Sequence, residues 1–165
     1  MNWIFGNNIN TDLITPGRYN ITTDPKELAK ILFVEYRPEF CKKAKKGDII
    51  IAGNNFGCGS SRETAATALK ARGITTIIAR SFARIFYRNC LNQGLLAIVA
   101  DIDGIDEKDE LKVDLKKKLL INKTKNTAIE ITIPDSMVTL YKTGGIVPYL
   151  QKHGLDSIDM LFTRK

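Results

Sequence analysis

The sequence predicts an α/β fold with a central parallel βαβαβ core and additional antiparallel strands. Two observations carry this. Between residues 48 and 100, three short apolar runs (Ile49 to Ala52, Ile74 to Ala79, Leu95 to Val99) alternate with two segments of helical spacing. Unbroken apolarity marks strands buried on both faces, as in a parallel sheet joined by right-handed crossovers. After Ala100 the pattern changes. Glu110 to Leu115 alternates apolar and polar residues, and Leu119-Leu120-Ile121 and Ala128 to Ile133 follow as antiparallel partners.

In chain order, residues 3–5 read as a short strand. Asn7 to Asp12 and Thr15-Pro16-Gly17 are rich in turn formers. Asp24-Pro25 marks a helix start, with Asp at the N-cap and Pro in the first helical position, and the helix ends before Pro38. Phe40 to Lys46 is a short basic connection, and Gly47-Asp48 turns the chain into the first core strand. Ser60-x-x-Glu63 fits a capping box at the start of a helix that Gly73 closes. Phe82, Ile85, Phe86 and Cys90 recur at helical spacing, and Gly94 ends that helix. Pro134 stops the last strand; Ser136 to Lys142 and Val147 to Lys152 read as helices broken by Gly144-Gly145, and the tail from Gly154 carries no clear signal.

The length of 165 residues suits one domain, residues 1–165, with one core. No apolar run approaches the ~20 residues of a membrane helix. No basic segment followed by an apolar core opens the chain, so a cytoplasmic location is expected. Cys41, Cys58 and Cys90 are widely spaced and His153 is the sole histidine. That speaks against a disulfide framework, a complete metal site in this chain and a Ser–His–Asp triad. The net charge of +7 suits solubility, an anionic substrate or an acidic partner. Neither zinc-finger spacing nor an aromatic RNA-binding motif accompanies it, so nucleic acid ranks last.

The richest stretch is Gly53-Asn54-Asn55-Phe56-Gly57-Cys58-Gly59-Ser60-Ser61-Arg62-Glu63, between a buried strand and a helix. Binding groups gather at such carboxyl ends of parallel strands. The spacing fits neither a phosphate loop nor a dinucleotide fingerprint, and there is no Gly-x-Ser-x-Gly elbow. Two readings stay open on the residues alone. One is a small-anion site, in which Arg62 and the amides of residues 60–63 hold a carboxylate and Ser60, in a positive field, serves as an unusual base. The other is a structural cap, with Ser60 at the N-cap. Asp12, between Thr11 and Thr15, reads most simply as turn chemistry.

Three motifs in this order carry a family resemblance: Thr11-Asp12-Leu13-Ile14-Thr15-Pro16-Gly17-Arg18-Tyr19, then Gly57 to Glu63, then Ser81 to Asn89, with Gly144-Gly145 matching too. The chain resembles the small swivel domain of the aconitase superfamily and, at this length, the family of free-standing 3-isopropylmalate dehydratase small subunits. The resemblance implies a three-layer β/β/α swivelling domain. It implies an interconversion of 2- and 3-isopropylmalate by dehydration and rehydration, with a separate large subunit that carries a 4Fe–4S cluster in a heterodimer or heterotetramer. On the same ground Ser60 is the base, Ser61 and Arg62 bind a substrate carboxylate, and Asp12, Thr11 and Thr15 lie in the site. Residues Arg18, Tyr19, Asn20, Ile21 and Thr22 form the substrate-specificity loop. Related homoaconitase small subunits read Tyr-Leu-Arg-Thr there, with an arginine for an extra carboxylate; Ile21 stands in its place and suits an isopropyl group. Other alkylmalates, such as dimethylmalate, and a non-catalytic interaction module are the alternatives. The chain departs from many family members at Thr64, where they have histidine, and that position is assigned no catalytic role.

Overall fold

A computed structural model describes residues 1–60 and 62–162. Four strands lie parallel: β1 (Asn2–Phe5), β2 (Ile49–Ala52), β3 (Thr76–Ala79) and β4 (Leu96–Ala100). They are in register, so Trp3, Ile50, Ile77 and Ala97 form one row across the sheet. Three antiparallel strands extend it: β5 (Leu111–Asp114), β6 (Leu119–Asn122) and β7 (Thr127–Thr132). The order is β1-β2-β3-β4-β7-β6-β5, and β4 meets β7 through only Val99–Thr132 and Ala100–Ile131.

The helices are α1 (Thr11–Ile14), α2 (Pro25–Leu28), α3 (Pro38–Lys43), α4 (Glu63–Arg72), α5 (Arg84–Gln93), α6 (Asp135–Thr143), α7 (Ile146–His153) and α8 (Ser157–Phe162). The crossovers β2-α4-β3-α5-β4 move one strand at a time in the same direction, which puts α4 and α5 on one face of the sheet. Ala65, Ala68 and Leu69 of α4 and Phe86 of α5 are buried in one core cluster with Ile50, Ile77 and Ala97 of the sheet. On the opposite face the Asn2 amide donates to the Asp109 carbonyl at 2.8 Å and the Asp106 carbonyl at 3.2 Å, which ties β1 to the connection leading into β5. Asn122 donates to Asp109 Oδ2 at 2.7 Å, so the same buried hinge fixes β6. Hence the parallel sheet lies between helices and antiparallel meander, in accord with the expected swivelling architecture.

Gly73 and Gly94 close α4 and α5 in the left-handed region, at φ +86° and +70°. Asp24 caps α2 as expected, its carboxylate accepting from Lys26 N at 2.8 Å. The helix is shorter than its sequence suggests: after Leu28 it tightens to a 3₁₀ turn over Ala29–Ile31 and stops. The cause is tertiary. Phe33 sits at φ +54° and gives its N–H to Ile14 O at 2.8 Å rather than back along the helix. This seats its ring against Phe5 (centroids 4.4 Å apart) and Phe40 (4.9 Å).

Two expectations need correction. Helix α8 lies in the tail that carries no sequence signal. The capping box does not form: α4 begins at Glu63, Arg62 is its N-cap residue without a side-chain cap bond, and Glu63 accepts from Gln93 Nε2 at 2.8 Å instead. The loop before α4 is held instead by the segment after β1, through Gly57 N to Ile9 O, Thr11 N to Cys58 O and Thr11 Oγ1 to Ser60 O.

Candidate active site

The carboxyl ends of β1, β2 and β3 open into loops that bond to one another. Gly53 N donates to Gly6 O at 3.1 Å and Asn8 N to Asn54 O at 2.8 Å, and the Asn7 side-chain oxygen accepts from Asn54 N at 2.7 Å. Farther out, Gly57 N donates to Ile9 O at 2.7 Å and Thr11 N to Cys58 O at 2.8 Å. The β3 loop joins through Phe56 N to Ser81 O at 3.0 Å and Ala83 N to Phe56 O at 2.9 Å. Backbone pairing of this density rigidifies loops that would otherwise be mobile, and it does so at the edge where α/β sheets bind ligands.

Gly57 is a requirement of that arrangement. It has φ +78°, and a Cβ on it would lie 2.1 Å from Phe86 Cγ in the core. Gly57→Ala therefore combines a left-handed backbone penalty with overpacking, and a loss of about 3 kcal/mol is expected. The urea midpoint of the isolated chain checks it; an unchanged midpoint would refute the packing account.

The paired loops bring together residues from two distant motifs. The Arg62 guanidinium meets Asp12, with Nη1 2.6 Å from Oδ1, and the same nitrogen faces the Thr15 carbonyl at 3.5 Å. The Arg62 side chain is 33% exposed and that of Asp12 56%, so the pair is open to solvent on one side. Gly17 makes room: a Cβ there would come within 3.0 Å of Nη1 and 3.1 Å of Nη2. Nη1 is thus committed to this chain, while among the described residues no partner is found for Nη2 or Nε. That leaves an edge of the planar fork for a carboxylate.

Ser60 is exposed beside this pair. Thr11 Oγ1 donates to the Ser60 carbonyl at 3.0 Å and lies 3.5 Å from Ser60 Oγ. Asp12 and Thr11 share one helical turn, α1, whose start is capped by Asn10: its side-chain oxygen accepts from Leu13 N at 2.7 Å. The sequence pattern suggested a plain turn here; an Asn cap with an acid in the first turn is the signal that reveals the helix. Thr15 is fully buried, with its hydroxyl near the Thr11 carbonyl at 3.4 Å, and so reaches the site through its carbonyl alone. Ser61 lies outside the described residues.

The segment after α1 lies over the same edge. Gly17–Tyr19 forms a 3₁₀ turn. Arg18 pairs with Glu35 and stacks at 5.1 Å on Tyr19; Glu35 also raises the Arg18 pKa, through its hydrogen bond first and its charge second. Ile21 is 89% exposed and lines, with Asn20, Thr22 and Thr23, an open groove of about 490 Å³. Thr22 is used locally, its hydroxyl accepting from Asp24 N at 3.1 Å. One residue set aside on sequence grounds matters here. Asn20 Nδ2 donates to Thr64 Oγ1 at 3.0 Å, tying the segment to the first turn of α4, two residues beyond Arg62. Nothing in local pattern marks this contact.

The donor set does not suit a metal. Among the described residues no three Cys, His, Asp or Glu side chains converge as ligands. Cys90 is fully buried and its thiol is pushed far up by desolvation; burial raises Cys41 too. No helix among the described residues is long and apolar enough to cross a membrane.

Comparison with known proteins matches residues 2–102 to the family model of the aconitase C-terminal domain. A 3-isopropylmalate dehydratase small subunit of Archaeoglobus fulgidus is 51% identical over 154 residues, 92% of this chain and 93% of that one. A methanogen homoaconitase small subunit of Methanocaldococcus jannaschii is 47% identical over 152 residues, covering 92% and 89%. The crystal structure of a 3-isopropylmalate dehydratase from M. jannaschii superposes with a TM-score of 0.89 at 44% identity, covering 96% of each chain.

Proposed function

The chain belongs to the aconitase C-terminal domain family, among the small subunits of 3-isopropylmalate dehydratases, and from this premise we propose that it is half of such a hydro-lyase. With a large subunit, in a heterodimer or heterotetramer, it interconverts 2-isopropylmalate and 3-isopropylmalate through 2-isopropylmaleate in leucine biosynthesis. The reading takes residues 1–165 as one domain acting in the cytoplasm. The observation that carries it is the Asp12–Arg62 pair at 2.6 Å beside Ser60, on an open edge of the sheet.

The residues of this chain account for half of the chemistry. The free edge of Arg62 grips a substrate carboxylate, and Asp12 orients the guanidinium from the other side. Ser61 adds a further contact to that carboxylate. Ser60 Oγ takes the proton from the substrate carbon; Thr11 bonds the Ser60 carbonyl and keeps that oxygen in place. Arg62 and the N-terminal end of α4 make the local field positive, which lowers the cost of negative charge on the serine oxygen. The 4Fe–4S cluster of the large subunit supplies Lewis acidity at the departing hydroxyl. It is assigned to the partner because the relatives of this chain are small subunits within the aconitase family.

Ile21 favours an isopropyl substituent over a carboxylate. A homologous homoaconitase small subunit is nearly as similar in overall identity, so the choice rests on this loop. Ile21 is exposed in this chain; once the large subunit covers the groove, an apolar side chain presents nothing to a carboxylate buried there, whose desolvation without a partner costs several kcal/mol. The test is reconstitution with the cognate large subunit, following the unsaturated intermediate by absorbance. The chain alone is expected to be inactive and the mixture active on 2-isopropylmalate. Ile21→Arg should shift the isopropylmalate-to-homoaconitate ratio of kcat/KM by roughly tenfold or more, about 1.4 kcal/mol. An unchanged ratio would discard Ile21 as the determinant.

A further inference from the structure

Beside the Ser60 loop lies a groove of about 480 Å³ that the proposed reaction does not use. Its walls are Gly57, Gly59 and Ala83 on one side and Arg84, Ile85 and Arg88 of α5 on the other. Arg84 and Arg88 are one turn apart on the exposed face of that helix. Among the described residues neither guanidinium has a hydrogen-bond or ion-pair partner, and no acidic residue lines the groove. Other arginines on the surface are neutralised by acids: Arg18 pairs with Glu35, Arg37 with Glu39 and Glu107, and Arg80 with Asp101 and Asp103. Ile85 is 49% exposed and lines the groove beside the two charges. Two unpaired like charges one turn apart repel each other, an arrangement suited to an external anion.

We propose that this groove is a docking site for an acidic segment of the large subunit. Carboxylates of that segment pair with the forks of Arg84 and Arg88, and an apolar side chain covers Ile85. The inference rests on the subunit reading above, and continuity argues for the occupant. Gly59 borders both the groove and Ser60, so a partner that brings its reactive centre to Ser60 also lies across the groove. Charge complementarity selects which part of the partner enters.

The experiment titrates the cognate large subunit against this chain by calorimetry at two ionic strengths, using wild type, R84E/R88E and R84K/R88K. Both arginines are exposed, so matching circular dichroism and Tm establish that the variants fold. The expected result is a Kd raised about tenfold or more by R84E/R88E, with most affinity kept by R84K/R88K. Salt should weaken wild-type binding more than that of the glutamate variant. With saturating large subunit, the KM for 2-isopropylmalate should match wild type. An equal Kd for wild type and R84E/R88E overturns the proposal. So does an equal Kd with a raised KM, which would make the groove a substrate subsite. Failure of the wild-type chain to bind the large subunit at all overturns the subunit reading together with this one, and so separates the two failures.

Discussion

Ser60→Ala is expected to lower kcat of the reconstituted enzyme by about 10²–10⁴-fold, the range for loss of a positioned general base. The large subunit should bind the variant as tightly as wild type, because Ser60 Oγ contributes no fold-bearing bond. The Thr11 hydroxyl bonds the Ser60 carbonyl, which alanine retains, and the side-chain contact at 3.5 Å is at the limit of hydrogen bonding. Deuterium exchange at the substrate carbon isolates the step: exchange should vanish with turnover. Substantial remaining turnover, with exchange intact, would remove Ser60 as the base. Cysteine is an informative companion, since a thiolate of lower pKa but larger radius tests whether basicity or position limits the reaction.

Arg62→Lys should lower kcat/KM by about 10²-fold even though the charge is kept. An ammonium is a point charge and cannot hold Asp12 on one edge while presenting a second pair of donors to a carboxylate. Raising KM and lowering kcat together is the expected pattern, because the carboxylate grip also sets the distance from the substrate carbon to Ser60 Oγ. Asp12 contributes by holding the fork at 2.6 Å, with the Thr15 carbonyl a weaker contact at 3.5 Å. A lysine variant with wild-type kcat/KM would show that only net positive charge matters. Michaelis constants for 2-isopropylmalate measured at saturating large subunit decide between the two.

Much of the fold was legible locally. Continuous apolar runs at Ile49 to Ala52 and Leu95 to Val99 became β2 and β4, and glycines placed after the helical segments became left-handed ends at Gly73 and Gly94. These signals are legible because burial on both faces and helix termination each act through neighbours in the chain. The α2 segment was half legible. Its Asp24 cap and Pro25 formed as read, but the stop after Leu28 depends on Phe33 bonding to Ile14, a contact between separate segments. The tail helix α8 had no strong period to reveal it.

The site divides the same way. The sequence by itself determined which groups are available: two hydroxyls, an arginine and a glycine-rich turn at a strand end, with an acid in an earlier motif. It could not choose between Ser60 as a helix cap and Ser60 as a free hydroxyl, because both use the same local residues. The tertiary structure made that choice. The segments around Gly57 and Cys58 bond to Ile9 and Thr11, so the loop follows the β1 connection, and α4 starts two residues later than the box requires. The same pairing carries Asp12 to Arg62 and Asn20 to Thr64. Capping is a short-range bond that one residue can offer, whereas the pairing of two loops commits several backbone groups at once, and the larger set of bonds prevails.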